Sequence, residues 1–571
     1  IFNIFLYRIT GDKDIVVGVP STDRNYQETE DNIGLYVNTL AIRNKLNDDS
    51  NFIELLKKNK KKLVEVYGNK DYPFELLVEK VSSDRDMSRN PVFNTLFELV
   101  NNSNKDLSVF KFKNLKSNNF YSDQKTTKFD FGMTAILSPD NEIFFRCRYN
   151  SDLFSQETIK SYLDIFNESI KKSLKKPHVE IKKVDLLPKK QQETLLKNLS
   201  NPLTKKPEST IQERIEEAFK KYYQRTAIEY NGKRFNFSYL KQRADKIASY
   251  IPVRQDKKQM NIALLINNKV DLISSLIAIL KTGHIFIPLE TREPKERLKL
   301  MLKEANVNYI ITDNKNIQQN IPSKHKQLFL RDLKNQKELN TKETDEPINS
   351  LEDNIYIYFT SGSTGKPKPI LGTNKSLLHF IDWQINDLKI TKNDKLSQLA
   401  PVSFDAVLRD IFVSILTGAT LCIPKNKKDI LSKEKLSKWI AERKLTILQT
   451  TPSIFKLIDP SKRYQLRHIV LAGEKLNPLD VKDWINKADI TNMYGPTEAT
   501  MVKMYHKVTT RDLKRRYLPL GKPIADTDVM ILNKNLKVCP IGAIGEIYIG
   551  TPYLARGYLN NPKLTKQKFL P

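Results

Sequence analysis

Residues 358 to 368 read Tyr-Phe-Thr-Ser-Gly-Ser-Thr-Gly-Lys-Pro-Lys, a crowding of hydroxyls, glycines and lysines that few loops can use. Just before it, Asn354-Ile-Tyr-Ile-Tyr-Phe359 alternates as a strand does. The loop is therefore expected to leave the end of a sheet, where backbone N–H groups are free to converge on an anion. Gly362 and Gly365 allow positive φ and close main-chain approach. Ser361, Ser363 and Thr364 bring hydroxyl donors, and Lys366 and Lys368 bring charge that pyrophosphate-like oxygens attract. The spacing is not that of the P-loop, because Pro367 follows Lys366 where that motif needs Ser or Thr. A solvated Ser/Gly turn has the same composition, so this loop by itself leaves both readings open.

The rest of the chain narrows the class. Its 571 residues exceed what one hydrophobic core serves and imply two or three domains. A hydrophobic content of 39% fits a soluble globular chain. Cys147, Cys422 and Cys539 lie far apart with no C-x-x-C spacing, which argues against a zinc site or disulfide framework and for a reducing, cytoplasmic setting. The first residues, Ile1-Phe-Asn-Ile-Phe-Leu6, lack the basic flank and cleavage site of a signal peptide. Lys269, Asp271 and Lys281 interrupt the apolar stretch from Met260 to Leu289, so no membrane span is expected. The net charge of +29 is spread over scattered lysine runs such as Lys57 to Lys62 and Lys425 to Lys428. Such runs read as solvated faces rather than a nucleic-acid groove.

Periodicity sets the organisation. Ile159, Leu163, Phe166 and Ile170 predict a helix over 156–172, followed by a charged, Pro-punctuated linker over 181–207 with Leu186-Leu-Pro188 as an anchor. Ser209 or Thr210, with Gln212 or Glu213 three residues on, predicts a capped helix start. A helix over 271–281 is expected to carry Leu272, Leu276, Ile279 and Leu280 as one stripe and to stop at Gly283. Strands at 308–312, 446–450 and 468–472 alternate with helical stretches, the rhythm of an α/β fold. The polar stretch Asp332 to Asn349 reads as a mobile surface loop.

Three further motifs follow the loop in order. Asn492-Met-Tyr-Gly-Pro-Thr-Glu-Ala-Thr500, Gly545-Glu-Ile-Tyr-Ile-Gly550 and Tyr553-Leu-Ala-Arg-Gly-Tyr-Leu559 join Leu280-Lys-Thr-Gly283, Phe286-Ile-Pro-Leu289, Pro294-Lys-Glu-Arg297 and Ser403-Phe-Asp-Ala406. Residues 208–571 thereby resemble the adenylate-forming superfamily, specifically the adenylation domains of nonribosomal peptide synthetases. Gly18-Val-Pro-Ser-Thr-Asp-Arg24, Gly34-Leu-Tyr-Val-Asn-Thr-Leu40 with Arg43, Asp71-Tyr-Pro-Phe-Glu75, Arg85 to Pro91, Lys128-Phe-Asp130 and Tyr149 to Phe154 make residues 1–180 similar to the C-terminal half of a condensation domain of the same assembly lines. The implied fold is a chloramphenicol-acetyltransferase-like half-domain, then the large N-terminal domain of an acyl-CoA synthetase/luciferase-like enzyme. No His-His-x-x-x-Asp-Gly occurs, and the family's ribose-binding aspartate, hinge and lysine-bearing subdomain lie beyond Pro571. The chain is thus expected to be a fragment of a longer protein.

The resemblance implies an enzyme that uses ATP and Mg²⁺ to activate an amino acid as its adenylate. Its expected partners are the phosphopantetheine thiol of a carrier-protein domain and the flanking synthetase domains. Joining two anions at phosphorus needs cations and oriented donors. By the family's pattern, Thr360, Ser361, Gly362, Ser363, Thr364, Gly365 and Lys366 would hold the phosphates, with Lys368 and Thr497 catalytic and Glu498 both catalytic and the metal ligand. Ala472, Gly473, Glu474, Asn492, Tyr494 and Gly495 would face the nucleotide. Asp405 would pair with the α-ammonium, and Ala406, Gln449, Val470, Met493, Met501 and Val502, with Ala472, would line the substrate pocket. Arg409 falls at a pocket position too but has Asp410 beside it as an alternative partner. Pro369 and Leu371-Gly-Thr-Asn374 depart from the family, and Pro369 is expected to stiffen the phosphate loop by removing an N–H. An acyl-CoA or aryl-acid ligase, or a non-catalytic scaffold, stays open as an alternative.

Overall fold

The computed structural model describes residues 1–22, 27–29, 32–81, 90–101, 126–201, 206–254, 258–314, 325–333, 349–361, 365–426 and 430–570. They form two compact units, one of Ile1–Asn198 with Met530–Tyr548, the other of Leu199–Val529 with Ile549–Pro571. Outside the described residues lie Gly362, Ser363 and Thr364 of the loop, Asp23 and Arg24, residues 85–89, residues 427 and 428 of the second lysine run, and nearly all of the expected 332–349 loop.

The first unit is built on a five-stranded sheet in the order Val37–Lys45, Asp14–Thr22, Thr95–Asn101, Phe131–Leu137, Ile143–Tyr149. Its inner three strands run parallel and both edge pairs are antiparallel. Helix Gln156–Lys175 starts where Ser155 accepts the Thr158 N–H at 3.2 Å, and it runs three residues past the expected end. It buries Ile159, Tyr162, Ile165 and Phe166 against helix Phe2–Thr10 and the sheet, with Phe5 and Phe166 edge to face at 5.6 Å. Leu163 and Ile170 only flank this core, because the sheet-facing arc is wider than the single stripe expected. Within 181–207, Leu186 and Leu187 are buried in the same core and Lys189–Asn198 is helical.

The second unit holds two large sheets. One has seven strands in the order Lys326–Phe329, Tyr309–Thr312, Asn261–Leu265, Ile285–Pro288, Asn354–Ser361, Pro367–Thr373, Gly557–Tyr558, parallel through the fifth. The other has nine, parallel from Asp489–Tyr494 across to Thr226–Tyr230. Parallel strands covered on both faces read as apolar runs, which is why Ile262 to Leu265 and Ile447 to Leu448 show no alternation. The first helix, Ile211–Lys221, opens on the predicted capping box: Glu213 accepts from the Thr210 N–H at 2.7 Å, and Thr210 Oγ1 accepts from the Glu213 N–H at 3.3 Å. Helix Lys269–Lys281 differs from expectation. It is buried on every side, Ser274 and Ser275 included, because it shares one core with residues of both sheets, so no single stripe is set apart. Among the described residues no helix is long and apolar enough to cross a membrane.

Candidate active site

Strands Asn354–Ser361 and Pro367–Thr373 form an antiparallel hairpin with Thr360 opposite Lys368 and Ser361 opposite Pro367. The described ends of the hydroxyl- and lysine-rich stretch therefore lie where the two hairpin strands approach each other, with Gly365 at φ 75° and Lys366 exposed. Pro369 lies in the strand, opposite Phe359, and its carbonyl accepts the Leu559 N–H at 2.9 Å. The N–H that proline lacks is thus missing from the sheet and not from the turn, which corrects the expectation of a stiffer loop.

A second turn leaves the end of strand Asp489–Tyr494. Thr497–Ala499 make one tight helical turn, Thr500 and Met501 follow with φ 64° and 63°, and the Lys503 N–H returns to the Tyr494 carbonyl at 2.9 Å. Positive φ at two consecutive side-chain-bearing residues, one of them β-branched, is strain of the sort that collects at functional sites. Gly495 makes the turn possible. A Cβ there would lie 2.2 Å from the Met501 carbonyl oxygen.

Glu498 projects from this turn to the hairpin sheet. Tyr558 donates its hydroxyl to Glu498 Oε1 at 2.5 Å, and Tyr558 itself pairs with Ile370 of the hairpin strand. Burial and the adjacent carboxylate raise the Tyr558 pKa, so its proton stays on. Glu498 is thereby tied, through one side chain, to the strand that carries Lys368.

Asp405 begins helix Ala406–Thr417 without capping it. Its Oδ2 is sealed from solvent and has no hydrogen-bond partner. Burial lifts the carboxyl to about 6 against the pull of the Thr497 hydroxyl, the Ala406 N–H and the Arg409 charge, and Glu498 raises it further. Arg409 is buried and donates from Nε to Asp410 Oδ1 at 3.1 Å, the alternative the sequence left open.

Sheet register aligns the remaining pocket positions. Gln449 pairs with Val470 and Ala472 with Met493, so their side chains leave one face of the nine-stranded sheet. Val470, Met493, Met501 and Val502 share one hydrophobic core, with Ala472 packed against it. The Gln449 amide oxygen accepts from Gln384 Nε2 at 2.7 Å, a partner that sequence reasoning missed. Ala406 is half-buried in the first turn of its helix. Asn492 and Tyr494 face the opposite side of the sheet from Met493, and the Asn492 amide holds the Pro519 carbonyl at 3.2 Å. Gly473, at φ 87°, turns the chain so that Glu474 accepts the Ser453 N–H at 2.9 Å and its hydroxyl at 2.5 Å, contacts that hold the Glu474 pKa low.

The profile described as AMP-binding enzyme matches residues 215–559, more than half of the chain. The chain belongs to the AMP-binding enzyme family. A second profile, described as Condensation domain, matches residues 1–196. Over its whole length this AMP-binding chain is similar to gramicidin S synthase 2 of Brevibacillus brevis, 31% identical over 580 residues, and to tyrocidine synthase 3 of Brevibacillus parabrevis, 30% identical over 581 residues. It spans only 13% and 9% of those two proteins. Its fold is similar to that of a four-domain nonribosomal peptide synthetase bound to AMP and glycine, with TM-score 0.86 and 20% identity over 99% of this chain and 43% of that one. The AMPPNP-bound form of the nonribosomal peptide synthetase FmoA3 follows, with TM-score 0.81 and 18% identity over 100% of this chain and 62% of that one.

The AMP-binding unit also holds two phenols to which the motifs gave no role, both within reach of the Asp405 charge. Tyr356 and Tyr358 are buried, and their hydroxyls have no partner. The available signal was two phenols on alternate positions between Ile355, Ile357 and Phe359.

Proposed function

We propose that the AMP-binding unit activates an α-amino acid as its adenylate. A substrate carboxylate oxygen attacks the α-phosphorus of ATP. The new acyl–oxygen–phosphorus linkage forms as the bond to the β-phosphate oxygen breaks, and its electrons leave with pyrophosphate. The acyl group then passes to the phosphopantetheine thiol of a carrier domain, with AMP as leaving group. The condensation-like unit fits a domain that joins such acyl groups into a peptide.

The observation that carries this reading is Asp405 Oδ2, a buried and partnerless carboxylate oxygen beside Thr497 and Glu498. An uncompensated buried carboxyl is costly, and a cationic ligand group relieves the cost. The α-ammonium of an amino acid supplies such a group, whereas fatty and aryl acids do not. Glu498 would hold Mg²⁺ through the carboxylate oxygen that Tyr558 leaves available. Bound Mg²⁺ supplies positive charge as pyrophosphate departs. Thr497, together with the hairpin turn and Lys366 and Lys368, would position the phosphates.

The test is ATP–pyrophosphate exchange by the full-length synthetase across amino, fatty and aryl acids, with Asp405→Asn in parallel. One or a few amino acids should drive exchange, and Asp405→Asn should raise their KM about 100-fold, the scale of losing a buried charge partner. Exchange driven by aryl or fatty acids, or none with any acid, would exclude this reading.

A further inference from the structure

Tyr356 and Tyr358 sit two residues apart on strand Asn354–Ser361, so their side chains leave the same face. Their rings meet edge to face with centroids 5.6 Å apart. The Tyr356 ring fills the space over Gly372 of the neighbouring strand, where a Cβ would come within 1.8 Å of it, so that glycine fixes where the phenol lies. Both hydroxyl oxygens are buried without a partner. Tyrosine tolerates burial of its ring, but a buried phenol normally finds a hydrogen bond, and two side by side without one point to a missing ligand.

A third such oxygen belongs to Asp405. Asp405 Oδ2 is also sealed and partnerless, and its charge reaches both rings, adding to burial in holding both phenols protonated. The Thr500 hydroxyl in the strained turn is near enough to ease the Tyr356 phenol slightly, but neither group meets the other at hydrogen-bond geometry. Two phenol oxygens and one carboxylate oxygen are thus left unsatisfied together, with the Glu498 charge also acting on Asp405.

We propose that Asp405 Oδ2, the Tyr356 hydroxyl and the Tyr358 hydroxyl together accept the three N–H bonds of a primary α-ammonium, and so select primary over N-alkylated amino acids. This rests on the amino-acid-activating reading above. A primary ammonium has three donors and no acceptor. One carboxylate oxygen leaves two donors unmatched, and the two phenols supply the difference. An N-methyl group replaces one donor with a methyl directed at a hydroxyl, which leaves that oxygen unpaired and crowded.

The experiment is pyrophosphate exchange by the full-length synthetase with its best amino acid and the N-methyl analogue of that acid. Wild type is compared with Tyr356→Phe, Tyr358→Phe and the double variant. Wild type should disfavour the N-methyl analogue about 100-fold in kcat/KM, about tenfold for the one hydrogen bond lost and about tenfold for the buried hydroxyl left unpaired and crowded. Each Phe variant should raise the amino-acid KM about tenfold, leave the ATP KM unchanged and shrink the N-methyl penalty to about tenfold. Its thermal midpoint should equal or exceed that of wild type, because a partnerless hydroxyl has been removed. Phe variants that keep the wild-type amino-acid KM and N-methyl penalty overturn the cage while leaving amino-acid activation intact. A joint rise of both KM values with a lowered midpoint also overturns it, since that marks a packing role. A wild type that activates no amino acid overturns the functional reading and the cage with it.

Discussion

At the scale of single residues, burial sets two ionisations that experiment can reach. Asp405 is lifted to about 6 from 3.8. Its protonated form is the one the fold prefers, so its ionisation takes stability away as pH rises from about 4 to about 6, while the ionised form is the one that binds an ammonium. The pH profile of kcat/KM for the amino acid should therefore climb through a limb near pH 6, and Asp405→Asn should abolish that limb. Lys503 is fully buried, makes its contact with His379 Nδ1 at 3.4 Å, and is lowered to about 7 from 10.5. For an amine lowered by folding, stability is fullest above the unfolded value and declines as pH falls toward about 7. Lys503→Met should raise the thermal midpoint at pH 7, by about 2–4 °C for each kcal/mol gained, and the gain should vanish toward pH 10.5. Asp405 was legible because a motif surrounds it. Lys503, Tyr356, Tyr358 and Gln384 were not, since nothing in sequence distance tells that a lysine is sealed beside a histidine 124 positions away or that a phenol lacks a partner.

At the scale of elements, the turn from Gly495 to Lys503 is the most constrained feature. Gly495→Ala would drive a methyl into the Met501 carbonyl oxygen, 2.2 Å away, and into the backbone of Val502 and Lys503. The chain cannot move away without opening the Tyr494–Lys503 hydrogen bond, so a loss of about 2–4 kcal/mol in a denaturant titration is expected. Exchange activity should fall at the same time, since Glu498 rides on this turn. Local signals told some elements plainly: the Thr210–Glu213 capping box and strand His468–Ala472 stand where the residues put them. Elements set by what surrounds them were harder. The all-round burial of Lys269–Lys281 and the hairpin partner of Asn354–Ser361 come from neighbours distant in sequence, which periodicity cannot see.

At the scale of the whole molecule, each unit is stitched from separate stretches of chain. Residues Met530–Tyr548 belong with Ile1–Asn198. Within that unit Arg8 donates from Nη2 to the Val538 carbonyl at 2.5 Å, Val538 packs on the core, and Gly542 lies so close to Tyr162 that a Cβ would be 2.6 Å from its hydroxyl. A fragment ending at Asn198 should therefore unfold at lower urea concentration than this unit does in the full chain. It should also bind more of a hydrophobic dye, and adding residues 530–548 as a peptide should reverse both changes in part. Motif order along the chain told that two kinds of domain follow one another, but an excursion of nineteen residues into the other unit leaves no local mark.

The Tyr558 link has a mechanical consequence. The Tyr558 N–H is held at 3.0 Å by Oγ1 of Thr565, in the middle of the helix Pro562–Lys568, and its hydroxyl grips Glu498. Traction applied to the polypeptide at that helix is therefore delivered, through one aromatic lever, to the carboxylate proposed to hold the metal, so a pull on the chain near residue 565 would be felt at Glu498.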